Sequence, residues 1–235
     1  MKLIVTGATG CVGREVIRQS LSRKEITSVI ALARGPVPVP DGLGAGADSS
    51  KLRSIRIKDY GEYPDDVRRE LAGAGACIWT VGVTPDKALR SDWKEVERVC
   101  RDCTIAGMNA MYDAGPSRPF RFLYVSGEAA ERDQTKKPAF LSRYLLMRGE
   151  VENQVLKFAA EHDGFEAVTA RPAFIYEPGE FLKAYLVGPL ARLALGAPSM
   201  SSAEVAKALL EQVIAGFGKD PLRAWDLVRL SKATE

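Results

Sequence analysis

Three glycines near the start of the chain have the spacing of a phosphate-binding turn. Gly7, Gly10 and Gly13 lie directly between a β-branched apolar segment, Lys2 to Thr6, and a segment of helical period. The first glycine permits a tight turn, the second lets the backbone approach a diphosphate, and the third lets the helix pack close to the strand. Amide groups at the helix start would then bind the phosphates, helped by the helix dipole. The pattern predicts a dinucleotide site; an ordinary strand-to-helix turn is the alternative.

Arg34 stands at the end of the second apolar segment, 21 positions beyond Gly13. In dinucleotide-binding folds an acidic side chain at this place binds the ribose 2′-hydroxyl of NAD, whereas an arginine accommodates the 2′-phosphate of NADP. A guanidinium makes charge-assisted bonds to that phosphate, which a carboxylate would repel. The sequence therefore predicts NADP as the cofactor, and a solvated surface arginine is the alternative.

A tyrosine and an arginine form a second candidate group. Tyr144 and Arg148 are four residues apart in a helical segment, so they share one face of the helix. Ser126 and Glu128 lie earlier, in a small polar turn after a strand. These four residues are the candidate catalytic residues. The alternatives are a tyrosine that covers the sheet edge, a serine that only serves the turn, and a solvated loop carboxylate.

With these motifs the chain resembles the short-chain dehydrogenase/reductase superfamily, in its extended or atypical form. That family carries Thr-Gly-x-x-Gly-x-x-Gly at the start, a serine at the fifth strand and Tyr-x-x-x-Lys on the following helix. The stretch Tyr144 to Glu152, followed by Arg171 to Tyr176, is especially similar to the subgroup resembling the Tat-interacting protein. The similarity covers about residues 2 to 178. It implies a Rossmann fold and an oxidoreductase.

The resemblance also implies roles for individual residues. Tyr144 would donate a proton to a substrate carbonyl, Ser126 would orient that carbonyl, and Arg148 takes the place of the family's lysine. Asp59 and Tyr60 match the pair that borders the adenine. Val81 and Gly82 match the segment beside the ribose and diphosphate. The predicted cofactor-binding residues are Gly7, Thr9, Gly10, Cys11, Val12, Gly13, Arg34, Asp59, Tyr60, Val81, Gly82, Tyr144, Arg148 and Pro172.

Two departures from the family pattern leave the reaction open. Arg148 is rigid and planar and does not lose its proton, although its charge favours a tyrosinate nearby. Gly127 stands where a second small hydroxyl often follows the serine, and Glu128 comes next. The leading hypothesis is an NADPH-dependent reductase acting on a carbonyl or enone of a small, apolar molecule. The alternatives are a redox-neutral isomerase, cyclase or lyase, and a non-catalytic NADPH-binding regulatory protein.

Alternating strands and helices are expected to position these residues. The predicted strands are near-continuous apolar runs, which indicates a parallel sheet covered on both faces. We therefore predict an α/β fold: a doubly wound parallel sheet, the Rossmann fold, with a small C-terminal helical lobe. We expect a single domain over 1–235, with its core in 1–177 and a substrate or lid lobe in 178–235. The predicted strands are Lys2 to Thr6, Ser28 to Ala33, Ser54 to Lys58, Ala76 to Val81, Phe120 to Ser126 and Glu166 to Arg171, with an edge strand at Ala224 to Leu230. The predicted helices lie near Gly13 to Ser22, Asp65 to Ala72, Ser91 to Ala114, Ala139 to His162, Phe181 to Leu195 and Ser202 to Ala215, and 35–50 is expected to be a surface loop.

Composition limits the classes of partner. A net charge of +3, with dispersed Lys and Arg, gives no support for nucleic-acid binding. His162 is the single histidine, so we expect no metal site. Four cysteines without a second CxxC pair are typical of a reduced, cytoplasmic protein, and the opening strand and glycine turn suggest neither a signal peptide nor a membrane span. A small-molecule substrate is expected, and the two long helices make a homodimer a further hypothesis.

Overall fold

A computed structural model describes residues 1–44, 46–177 and 196–233 of the chain. Its main sheet has seven strands in the order β3-β2-β1-β4-β5-β6-β9, and all paired strands are parallel. The predicted doubly wound parallel sheet is therefore confirmed. The strands of this sheet are β1 Lys2–Thr6, β2 Ser28–Ala33, β3 Leu52–Arg56, β4 Ala76–Trp79, β5 Phe120–Val125, β6 Phe165–Arg171 and β9 Leu222–Arg223, and β7 Ile175–Tyr176 pairs separately with β8 Met200–Ser201.

Helices cover both faces of the sheet. One buried core lies under the helices that follow β3, β4 and β5, and includes Trp79, Tyr124 and Met147. The other core includes Leu3, Val16 and Leu209 on the opposite face. The helices are α1 Cys11–Ser20, α2 Asp65–Leu71, α3 Pro85–Ala88, α4 Trp93–Glu97, α5 Cys103–Asp113, α6 Ser142–Glu161, α7 Ser202–Ala215 and α8 Ala224–Lys232.

The helix predicted over Ser91 to Ala114 contains an irregular turn. Residues Arg98–Asp102, between α4 and α5, form a π-helical segment. Its wider turn brings Arg98 to the carboxylate of Asp59 and Cys100 to the backbone of Val83. Such bulges are frequent at functional sites because they redirect side chains without ending the helix. Here the segment contacts the residues that follow β3 and β4.

The C-terminal part packs onto the same sheet. Ser201 caps α7 by accepting a hydrogen bond from the Glu204 amide, and Glu204 bonds back to the Ser201 amide. This reciprocal arrangement is the capping box that stabilises a helix start. The predicted strand at Ala224 to Leu230 is wrong, because this segment is helix α8 and the edge strand is β9, just before it. The predicted helix at Phe181 to Leu195 lies outside the described residues, and the division into a core and a lid lobe stays a prediction.

The loop predicted over 35–50 contains no strand in its described part. It ends in a short 3₁₀ turn, Ser49–Lys51, which Asp48 caps through the Ser50 amide. Strand β3 starts two residues earlier than predicted, since its half-exposed edge position leaves no clear apolar pattern. β1 and β2 end as predicted, whereas β4 ends at Trp79 and not at Val81, and β5 ends at Val125 and not at Ser126.

Candidate functional site

The glycine turn has the geometry that its sequence predicts. Gly7 has a φ of 63°, a left-handed conformation that suits glycine. The Gly10 amide donates to the Gly7 carbonyl at 2.8 Å and closes the turn. A Cβ on Gly13 would lie 2.4 Å from that same carbonyl oxygen, so only glycine lets α1 pack this close to β1. The local backbone therefore requires glycine at the first and third positions.

The start of α1 offers amide groups to an anion. Gly10 precedes the helix, no side chain caps it, and the first turn carries no acidic residue. Thr9 and Gly10 are exposed, whereas Val12 and Gly13 are buried. The first amides of a helix have no partner within the helix, and the dipole favours negative charge there. These residues fit the diphosphate of a dinucleotide.

Tyr60 connects the glycine turn to β2 through its hydroxyl. Its hydroxyl donates to the Leu32 carbonyl at 2.8 Å and accepts from the Gly7 amide at 3.1 Å. Burial raises the pKa of Tyr60 to about 12, so the phenol stays neutral. Asp59 accepts two bonds from Arg98, at 2.9 and 2.7 Å, and one from the Gly61 amide. That the pair borders an adenine stays a prediction.

Two arginines lie at the tips of β2 and β3. Arg34 is exposed, and among the described residues no carboxylate lies within ion-pair distance of its guanidinium. Arg56 pairs with Ala33 in the sheet register and donates from Nε to the Arg34 carbonyl at 3.2 Å. Sequence reasoning missed Arg56 because the predicted third strand was shifted by two residues. Together the two guanidinium groups give this edge a positive charge.

Tyr144 is buried, with 8% of its surface exposed, in the first turn of α6. Its hydroxyl donates to the Val83 carbonyl at 2.8 Å, just beyond the end of β4. Burial raises the pKa of Tyr144, and the charge of Arg148 lowers it by less. The expected influence of Arg148 is thus present, but the net result is a neutral phenol.

Arg148 is 5% exposed and lies between the ends of β4 and β5. Its Nη2 donates to the Val125 carbonyl at 2.8 Å, and its Cζ lies 5.1 Å from the centre of the Tyr124 ring. A Cβ on Gly82 would come within 2.8 Å of Nη1, so the predicted residues Gly82 and Arg148 are in contact. Although burial alone would lower its pKa, the neighbouring tyrosines and Cys100 raise it, and the guanidinium stays charged.

The Tyr124 contact was missed in the sequence, although a signal for it existed. Tyr124 precedes Ser126 by two residues, and in the predicted strand Phe120 to Ser126 this spacing places both side chains on one face. Its hydroxyl is buried and, within the part of the chain that the structure describes, has no hydrogen-bond partner. Its ring face, rich in π electrons, provides a counterpart for the buried guanidinium.

Ser126 and Glu128 have different surroundings in the turn after β5. The Ser126 hydroxyl is buried and lacks a hydrogen-bond partner among residues 1–44, 46–177 and 196–233. A buried hydroxyl without a partner is a free donor, and the role of Ser126 in orienting a carbonyl stays a prediction. Glu128 is 8% exposed; its carboxylate accepts from Arg223 Nε at 2.7 Å and from the Ala224 amide at 2.9 Å.

Glu128 therefore joins the turn to the start of α8, and the alternative of a solvated loop carboxylate is wrong. Its amide donates to the carbonyl of Pro172 at 3.0 Å, which places that predicted cofactor residue beside the turn. Because both carboxylate oxygens accept hydrogen bonds, Glu128 stabilises the packing of the turn against the start of α8. Its catalytic assignment stays a prediction.

A buried ion-pair network fixes α6 against β6. Glu152 is fully buried and accepts from Arg132 Nε at 2.6 Å and from Arg171 Nε at 2.9 Å. Arg132 also pairs with Asp220 at 2.7 Å. The network borders a polar cavity of about 430 Å³. Basic side chains outnumber acidic ones in the lining of this cavity, although each of the basic ones is paired with a carboxylate; the basic ones are Arg132, Lys136, Arg171 and Arg223, and the acidic ones are Glu128 and Glu131.

A second cavity, of about 250 Å³, lies beside Tyr144 and has mostly apolar walls. Within the described residues, no group of three His, Cys, Asp or Glu side chains is placed to hold a metal ion. No helix in the described ranges is long and apolar enough to cross a bilayer. Tyr144, the predicted proton donor, thus forms part of the wall of an apolar cavity.

The chain is similar to one known protein family and to a curated protein. Residues 3–196 match the family model described as the NAD dependent epimerase/dehydratase family. The leucinostatins biosynthesis cluster protein T of Purpureocillium lilacinum is 32% identical over 126 residues. That match covers 54% of this chain and 42% of the relative, so the similar part is less than half of that protein.

Several solved structures share the fold. The dTDP-glucose 4,6-dehydratase DesIV of Streptomyces venezuelae, with NAD and TYD bound, has a TM-score of 0.68 at 17% identity and covers 95% of this chain and 75% of its own. A short-chain dehydrogenase of Burkholderia cenocepacia in complex with NADP has a TM-score of 0.63 at 15% identity, covering 94% and 86%. The PhqB reductase domain of Penicillium fellutanum has a TM-score of 0.66 at 16% identity, covering 95% and 66%.

Proposed function

Because the chain belongs to the NAD dependent epimerase/dehydratase family, we propose that it is an NADP-dependent reductase of a carbonyl or enone in a small, apolar molecule. The family and the fold confirm the resemblance to extended short-chain dehydrogenases/reductases. They support an oxidoreductase or dehydratase function with a nicotinamide dinucleotide. The choice of NADP, the reduction and the acid residue are our proposal.

One chain of contacts carries the proposal, because it joins the glycine turn to Tyr144. Thr80, after β4, donates to the Thr6 carbonyl at 2.7 Å, and a Cβ on Gly7 would lie 2.4 Å from the Thr80 hydroxyl. Three residues later, the Val83 carbonyl accepts the bond from Tyr144. The anion-binding turn and the neutral phenol thus lie on adjoining backbone segments, as transfer between a bound dinucleotide and a substrate requires.

The cofactor preference rests on the tips of β2 and β3. Arg34 and Arg56 are exposed there, and the position that binds the ribose 2′-hydroxyl of NAD in related folds carries no carboxylate. Guanidinium groups make bidentate, charge-assisted bonds to phosphates. The 2′-phosphate of NADP would therefore bind at this edge.

NADPH supplies the hydride when it is bound. Tyr144 donates its phenol proton to the substrate oxygen, which requires its hydroxyl to rotate away from the Val83 carbonyl. Arg148 stays charged and stabilises the negative charge that develops nearby. The unpartnered Ser126 hydroxyl orients the same oxygen.

The test is Tyr144→Phe, which removes the hydroxyl and keeps the ring. We expect turnover to fall by about 100-fold or more, the usual contribution of a positioned general acid, while NADPH affinity changes little. Tyr112→Phe, on α5 and against Phe158, is the matched control and should keep full turnover. A Tyr144→Phe enzyme with the wild-type rate would refute the mechanism.

A redox-neutral reaction is the second candidate, and the surroundings of Arg148 favour it. The guanidinium is buried and bonded to Val125, so the flexible ammonium that the family places here is replaced by a fixed charge. A charged group beside a neutral phenol also serves proton transfer in an isomerase or lyase. Substrate turnover without loss of NADPH absorbance would support this candidate; stoichiometric NADPH consumption would exclude it.

A further inference from the structure

The apolar cavity beside Tyr144 is built from two separate parts of the chain. Ala88 and Leu89 close the end of α3, Trp93 begins α4, and Leu141 precedes α6. Tyr144 itself forms part of the wall. A group bound in this cavity therefore lies against the residue that we assign as the proton donor.

Exposed apolar side chains gather at the cavity. Leu89 is 71% exposed, Leu141 is 36% exposed, and the neighbouring Phe140 is 83% exposed. Solvation of such side chains is unfavourable, and a group of them around a concavity marks a ligand site more often than an accident of the surface. Ser142 and Arg143 also line the cavity, but its surface is almost entirely apolar, so it favours apolar groups.

Two backbone and ring features hold the cavity in shape. Leu141 has a φ of 49°, and among the described residues it is the one non-glycine residue with a positive φ. A branched side chain in this conformation is strained, and such strain is found mainly at functional positions. On the opposite wall, the Arg143 guanidinium lies 4.2 Å from the centre of the Trp93 ring and fixes its orientation.

The cavity volume limits what binds. At about 250 Å³ it exceeds the roughly 150 Å³ cavity that holds benzene, yet it is too small for a peptide helix or a nucleotide. One six-membered ring with a short substituent fits. A neutral ring also matches a wall that contains leucine, alanine and tryptophan carbons.

The geometry points to a specificity pocket, formed by Ala88, Leu89, Trp93, Leu141 and Tyr144, that takes the neutral aryl or cycloalkyl ring of a ring-bearing ketone or aldehyde. This inference rests on the proposed function for the role of Tyr144. With the ring in the pocket, the attached carbonyl lies at the mouth next to the phenol. Leu89 and Leu141 then select the ring by contact, without taking part in the proton transfer.

Acetophenone is the probe, with the full chain saturated with NADP⁺. Its dissociation constant is measured by ligand-observed NMR, and its reduction is followed separately by NADPH absorbance. Leu89→Asp places a carboxylate at the pocket in a position exposed enough to leave folding intact. Leu141→Asn removes the apolar wall with a residue that tolerates positive φ. We expect both variants to weaken acetophenone binding by at least about tenfold.

Val39→Asp, the same change at a half-exposed position in another loop, should stay within about twofold of the wild type. NADPH affinity should be unchanged in all three variants. No acetophenone binding by the wild type at millimolar concentration, or equal binding by the Leu89→Asp variant, would overturn the pocket. Acetophenone that binds in a Leu89-dependent way but is not reduced would refute the proposed function while the pocket stands.

Discussion

Replacing Gly149 by alanine separates helix propensity from packing, because the two predict opposite changes in the free energy of unfolding. Gly149 lies in the interior of α6, where an alanine is ordinarily more stable by about 1 kcal/mol. In this structure, however, a Cβ on Gly149 would lie 1.7 Å from the Glu131 carbonyl oxygen and 2.1 Å from its carbonyl carbon. Both atoms belong to the backbone, which moves less readily than a side chain.

The size of the effect follows from that overlap. An ordinary contact would require α6 and residues 130–132 to separate by more than about 1 Å, and overpacking of this kind costs about 1–3 kcal/mol or more. The separation also strains the bond from the Glu131 amide to the Leu145 carbonyl, 3.0 Å long, and the pair of Arg132 with Glu152. Net of the propensity gain, we expect a loss of about 2 kcal/mol, or roughly 4–8 °C in Tm for a chain of this size.

The assay is urea and thermal denaturation of Gly149→Ala beside Gly218→Ala. Gly218 has open space where its Cβ would be, so this control should be neutral or slightly stabilising. Turnover of Gly149→Ala should fall too, because Tyr144 and Arg148 move with α6. A Gly149→Ala protein as stable as the wild type, or more stable, would show that the close approach of α6 to this loop is wrong.

Three further changes test charge at separate places. Arg34→Glu should lower NADPH affinity by about tenfold or more and favour NADH, as measured by calorimetric titration. An unchanged ratio of the NADPH and NADH affinities would show that Arg34 does not bind the cofactor. Glu152→Gln removes the buried anion that the half-buried Arg132 and Arg171 share, while Asp220 still pairs with Arg132, and it should cost about 3 kcal/mol in urea denaturation. A loss below about 1 kcal/mol would show that the arginines find other partners. Burial tends to raise the pKa of Asp226, but bonds from Lys219, the Arg223 amide and Arg229 outweigh it and hold that pKa below its ordinary 3.8. The stability that Asp226 contributes is therefore present above about pH 3.8 and is lost as pH falls through its folded pKa. The free energy of unfolding of Asp226→Asn should therefore depend less steeply on pH in this acid range. The same pH dependence in the variant and the wild type would contradict the ion pairs of Asp226.

The predicted strand bounds are correct where burial of both faces gives a continuous run of apolar or small residues. β1 and β2 have the predicted bounds because both faces of a central parallel strand are covered, so every position after Lys2 is apolar or small. β3 lies at the sheet edge and is partly exposed, so its bounds were shifted by two residues. The helix α8 was assigned as a strand because its valine, leucines and tryptophan resemble a β segment.

In the structure, the buried positions of α8 have helical spacing. Its buried residues Ala224, Leu227 and Ser231 recur at intervals of three and four, and Asp226 occupies the first turn, where acidic residues favour a helix. The segment predicted as a strand, Ala224 to Leu230, covers only two helical turns, which is too short to distinguish a helical period from a strand in the sequence alone. The acceptor that caps the helix, Glu128, is almost a hundred residues away, and no local pattern connects the two.

The same distinction between local and distant information applies to the site. Gly10 and Gly13 are constrained by the Gly7 carbonyl within one turn, and Gly7 by its own positive φ, so their spacing is sufficient to predict the geometry. The contact of Gly7 with Thr80 is distant and has no local signal. The environment of Arg148 depends on β4 and β5, which adjoin only in the folded chain. A helix position alone therefore indicates that Arg148 shares a face with Tyr144, but not that the guanidinium is buried against Val125 and Tyr124.

That burial has a consequence for the reaction. A lysine at this position would reach a bound ribose through a flexible stem, whereas the Arg148 guanidinium is fixed by the Val125 carbonyl and the Tyr124 ring, with no carboxylate among its described contacts. The Arg148 charge lowers the pKa of the Tyr144 phenol, although burial of the phenol has the larger and opposite effect. The surroundings of Tyr144, the proposed proton donor, therefore suit a reductase and a redox-neutral enzyme equally. What separates the two is hydride transfer, so the consumption of NADPH, and not the identity of the acid, decides between them.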